Sequence, residues 1–145
     1  MIETNPIPHV QVHNLLIPFV VTAGFIALLS LATESNRRPL NAIIVAVAAG
    51  AYLNGGFGIL EFPFAIVVGY CAYQGLQSYR LIGIGWLLHT GWDILHHYTG
   101  HPMIGWLPTS SVECAISDTL LAIWFFYGAP SVGSLRKRGQ PPLAR

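Results

Sequence analysis

The chain has 145 residues, 53% of them hydrophobic and only 9% charged, with a mean hydropathy of +0.55. A water-soluble domain carries about a quarter of its residues as charges, so this composition argues against an ordinary soluble globule and for one integral membrane unit. Seven Lys and Arg against six Asp and Glu leave no basic patch for nucleic acid, and Cys71 and Cys114 form no CxxC pair and indicate no disulfide framework.

Five apolar runs approach the roughly 20 residues that cross a bilayer as a helix: 14–32, 39–58, 62–79, 81–98 and 112–129. They predict an all-α fold, an integral membrane bundle of about five transmembrane helices in one domain spanning 1–145, with a basic tail at 130–145. Pro39 and Pro63 fall where first-turn proline is tolerated, and Pro18 marks a kink or a later start of the first span. Arg37 and Arg38 follow the first span, Arg80 separates the third from the fourth, and Arg136, Lys137, Arg138 and Arg145 follow the fifth. Five crossings put all of these on one side, which the positive-inside rule makes cytoplasmic. The N-terminus is then outside and the C-terminus inside. His9, His13, Glu61, His96, His97, His101 and Glu113 map to the outer end, with Asp93 and Asp118 deeper and His89 nearest the midplane.

The second span is irregular. Its helical part, 39–53, covers only about 22 Å at 1.5 Å per residue, and "NGGFGIL" from Asn54 to Leu60 is poor helix material. Either the helix ends early, or broken backbone lines the cavity that Glu61 faces. Glu61 itself reads as an acid favoured by the dipole at a helix N-terminus, or as a ligand or general base.

The fourth span carries "HTGWDILHHYTGH". At about 100° per residue, Asp93, His96 and His97 lie at roughly 40°, 340° and 80° relative to His89. They make one polar stripe, and an ionisable stripe faces the bundle interior because exposure to lipid is costly. Its functional reading is a metal site, since imidazole and carboxylate at i, i+3 and i+4 is how helices present ligands to one ion; its structural reading is a hydrogen-bonded seam between helices. His101, beyond Gly100, either folds back as a further ligand or rests at the interface. In the fifth span, Ser110 and Glu113 have capping-box spacing, and Asp118 is expected to face the histidines. His9 and His13 read as interfacial. The tryptophans and tyrosines read as belt or packing, and Gly83, Gly85 and Gly91 as close helix contacts.

At "HTGWDILHHYTGHPMIGWLPTSSVECAISD" and "WFFYGAP" the chain resembles an uncharacterised family of small bacterial multi-pass membrane proteins. The resemblance implies a bacterial inner-membrane location and brings no known activity to carry over. Taken together, the residues predict a membrane-embedded metal-dependent enzyme, hydrolase or oxidoreductase, acting on an apolar or lipid-like substrate from the extracytoplasmic side. His89, Asp93, His96, His97, His101 and Asp118 are the expected ligands of a divalent zinc or iron ion, and Glu61 and Glu113 the expected proton carriers. The alternatives are a metal-ion or proton transporter using the same stripe, which in so short a chain needs a homo-oligomer, and a structural membrane subunit. Membrane lipids are the expected partners in each case.

Overall fold

The structure, a computed structural model, describes residues 5–54 and 56–134. The basic tail with Arg136, Lys137, Arg138 and Arg145, and Gly55 within the glycine-rich segment, lie outside the described residues. Among the described residues five helices are named in order: α1 (Val12–Leu29), α2 (Glu34–Ala51), α3 (Glu61–Gly75), α4 (Tyr79–Tyr98) and α5 (Ser110–Phe126), with short 3-10 turns at Tyr52–Asn54 and Gly58–Leu60. Among the described residues there is no strand, only an isolated bridge between Ile104 and Leu107. The five expected spans thus correspond to five helices. The second ends at Ala51, before the glycine-rich segment, and 3-10 turns carry the chain on toward α3. Pro39 is a correction: α2 starts at Glu34, which puts this proline in the sixth helical position rather than the first turn.

Successive helices run antiparallel, and side chains tie the ends together. Arg37 near the start of α2 donates to the carbonyls of Ala32, just after α1, and Ala129, just after α5, at 2.9 and 3.2 Å. Arg38 donates to the Leu76 carbonyl beyond α3 at 3.0 Å. Arg37 is therefore buried, 4% exposed and paired with Glu34 at 3.0 Å. At the opposite end, the Asn14 amide donates to Glu113 Oε1 and Thr109 Oγ1 at 2.7 and 3.2 Å, and fastens α1 to the start of α5. His9 and His13 at that end are exposed.

α4 is the hub, packed against α5, α3 and α2, while α1 packs on α5. Close approach needs small residues: a Cβ on Gly83 would stand 3.2 Å from the Ala122 carbonyl oxygen, and one on Gly85 3.1 Å from Val45. Gly91 departs from the expectation of a helix contact, because a Cβ there would meet nothing within 4 Å.

The distribution of polarity is inverted relative to a soluble protein. Asn41, Glu61, His89, Asp93, His96, Ser110 and Ser111 are at most 1% exposed, whereas Leu16, Val20, Val47, Ile66, Tyr73 and Leu31 stand well out on the surface. One helix among the described residues, Val12–Leu29, is long and apolar enough to cross a membrane by length and composition, with a mean hydropathy of 2.0. α2 begins with Glu34, Arg37 and Arg38, and α3 and α5 have 15 and 17 residues.

Candidate functional site

The stripe on α4 does turn inward. His89, Asp93 and His96 are buried at 1%, 0% and 1% exposure, and His97 is half-buried at the edge with its Nδ1 unpartnered. Two pairs of titratable side chains lie along this face.

The first pair is Glu61 with His96. Glu61 opens α3, and its fully buried carboxylate accepts the Trp92 indole N–H at 2.7 Å and the Phe57 backbone N–H at 3.2 Å. His96 Nδ1 lies 3.1 Å from the His101 carbonyl oxygen. A carbonyl only accepts, so Nδ1 carries the hydrogen and the tautomer is fixed. The other nitrogen, Nε2, then faces Glu61 Oε1 at 3.2 Å without an aligned hydrogen bond. A lone pair set against a buried carboxylate is satisfied by a proton between them. The loop after α4 holds this arrangement: the His101 backbone N–H donates to the His96 carbonyl at 2.9 Å, and Ser111 Oγ donates to the His101 carbonyl at 3.3 Å. His101 therefore folds back, and its carbonyl does the orienting.

The second pair is Asp93 with Asp118, two buried carboxyl groups that neighbour each other across the α4–α5 interface. Asp93 Oδ1 accepts the Tyr52 hydroxyl at 2.7 Å, and Oδ2 has no donor. Two adjoining buried carboxyls need a proton or a cation between them. Cys114 lies near the pair on α5.

Tyr52 joins the two. Its ring centroid is 5.5 Å from that of His96 and 5.2 Å from that of His89, while its hydroxyl sits on Asp93. This ring occupies the space toward which the expected ligands point, and it keeps them apart. His89 Nε2 instead donates to the Val45 carbonyl at 3.4 Å. Among the described residues, no group of three or more His, Cys, Asp or Glu side chains is placed to hold a metal ion.

Glu113 stands outside both pairs. It accepts from Asn14 and from Thr109 Oγ1, the latter at 2.8 Å, and no capping box forms with Ser110, whose Oγ accepts the Ile104 N–H at 2.9 Å. Tyr52 and Trp92 are the site residues that reading the aromatics as belt or packing missed. A signal for Tyr52 does exist: Arg37, Asn41 and Tyr52 share one face of α2 when its helical period is carried through to residue 52.

No curated protein matches the chain, and no solved structure matches it. A family of unknown function (DUF6010) matches residues 13–131. With most of its length matched, the chain belongs to this DUF6010 family.

Proposed function

We propose that the protein is a membrane-embedded enzyme that performs acid–base chemistry on an apolar or lipid-like substrate at the Glu61–His96 and Asp93–Asp118 pairs. In this reading the five helices are five spans of a bacterial inner-membrane bundle, with the N-terminus outside, and the chain from 1 to 145 is one domain. The inverted polarity supports the membrane setting: charged and imidazole groups sit at the core and an apolar belt faces outward. The observation that carries the enzymatic reading is the Glu61–His96 pair, oriented by the Trp92 indole, the Phe57 amide and the His101 carbonyl. Groups held by a surrounding shell of hydrogen bonds are preorganised for proton transfer. A glutamate that shares a proton with a tautomer-locked imidazole can deprotonate a nucleophile and return the proton to a leaving group.

A divalent metal enters this reading only if His89, Asp93, His96, His97, His101 and Asp118 converge after Tyr52 withdraws. Elemental analysis of detergent-purified protein beside Asp93→Ala decides that point. The enzymatic reading is tested by incubating purified protein with bacterial lipid extract and following the products by mass spectrometry. A product formed by the wild type and lost in Glu61→Gln and His96→Ala supports it. No product from any lipid class sinks it.

Proton transport is the second reading. It is favoured by the line of buried polar groups that α2 adds toward the arginine end, where Asn41 Oδ1 and Arg37 Nε lack partners. Acidification of proteoliposomes in response to a pH gradient would put it first.

A further inference from the structure

An apolar groove of about 510 Å³ runs between α3 and α4, walled by Leu60, Pro63, Val67, Leu87, Gly91 and Trp92. Its volume falls within the roughly 300 to 1,000 Å³ of small-molecule sites. Its floor is open at Gly91, where a Cβ would touch nothing within 4 Å. What distinguishes the groove is its end wall. Trp92 stacks on Phe64 with centroids 4.5 Å apart and planes within 8°, and the same indole donates to Glu61 at 2.7 Å. One ring therefore has an edge in the groove and its N–H on the candidate catalytic carboxylate.

We propose that this groove binds the hydrocarbon chain of the substrate, an acyl chain, and sets the adjoining polar group against Trp92 and Glu61; this rests on the enzymatic reading above. The lining offers no hydrogen-bonding group apart from the indole N–H, which is already used, so whatever lies in the groove is apolar along its length. A packed protein helix would seek several small residues for close approach, and among the eight residues that line the groove only Gly91 is small. An acyl chain is thin enough to lie there and reaches the groove sideways from the surrounding apolar belt. A second groove, between α2 and α3 at Ala42, Ile43, Ala46, Gly69, Ala72 and Tyr73, has about 250 Å³ and lacks the link to Glu61 that Trp92 gives the first. It provides the comparison, because annular lipid would treat the two alike.

The test is photolabelling of the full chain in nanodiscs with a fatty acid and with a phosphatidylglycerol that carry the same diazirine on the acyl chain, with adducts mapped by mass spectrometry. The expected result is labelling that concentrates between Leu87 and Trp92, saturates with unlabelled competitor, and falls about tenfold in Gly91→Leu. In Gly69→Leu, where a Cβ also meets open space, it stays unchanged. The probe that labels more strongly tells whether the chain arrives on a free acid or a phospholipid. Equal labelling of the two grooves, or labelling indifferent to Gly91→Leu in a protein that melts like the wild type, overturns the proposal. Since labelling requires no turnover, a saturable groove in a protein that turns over no lipid would remove the enzymatic reading and leave a lipid site.

Discussion

Tyr52 gives its phenolic hydrogen to Asp93 Oδ1 at 2.7 Å, and the ring that carries it fills the gap between His89 and His96. The two residues are 41 positions apart, on a 3-10 turn after α2 and on α4, and each is buried. The ring separates the polar residues of this helix face, so that His96 faces Glu61, Asp93 neighbours Asp118 and His89 turns to the Val45 carbonyl.

Removing one partner should cost more than removing both. Asp93→Leu strands a buried hydroxyl, and Tyr52→Phe strands a buried carboxyl oxygen, each a loss of about 1 to 3 kcal/mol. The double variant should lose less than the sum. Thermal melts of the four proteins in one detergent measure the coupling, and strictly additive losses would show that the bond contributes nothing.

Arg37 should resist conservative replacement. Its guanidinium reaches Glu34 and two loop carbonyls at once, and a lysine has one point charge instead of a planar fork. Arg37→Lys is expected to melt well below the wild type, by about 2 to 3 kcal/mol of stability. A lysine variant as stable as the wild type contradicts the clamp.

Two glycines of α4 should behave in opposite ways. Gly83→Ala drives a methyl against the Ala122 carbonyl and Phe125 at 3.2 and 3.3 Å, and should lower the melting temperature. Gly91→Ala meets open space and should be neutral or gain up to about 1 kcal/mol from helix propensity. Equal effects would mean that the α4–α5 contact is looser than described.

Topology is open to direct measurement. In a Cys71→Ala, Cys114→Ala background, a cysteine at exposed His9 should react in intact cells with a membrane-impermeant maleimide, and one at exposed Arg80 only after the cells are opened. Reaction of both in intact cells, or of neither, removes the five-span orientation.

Much of this architecture was legible from spacing. The helical period put His89, Asp93 and His96 on one face, the composition separated five helices, and the second was expected to turn irregular toward its end, as it does after Ala51. Individual partners were not legible, because they depend on register between helices. Nothing local to "YLNGGFG" says that Tyr52 lies level with Asp93 or that Trp92 finds Glu61. Ser110 and Glu113 have capping-box spacing, yet tertiary partners, Asn14 and the loop before α5, take up both side chains. The histidines suggested a shared ion because sequence distance along one helix says nothing of the aromatic ring that another helix inserts among them.

The bond from Arg37 to the Ala129 carbonyl spans 92 residues, and that separation bears on how the molecule is made. While a ribosome is still synthesising the later helices, the guanidinium of α2 is without its last acceptor; if the chain is inserted as the proposed five spans, the seating of the second helix should wait on the fifth. A nascent chain truncated before Ala129 should be the form that quality-control proteases recognise.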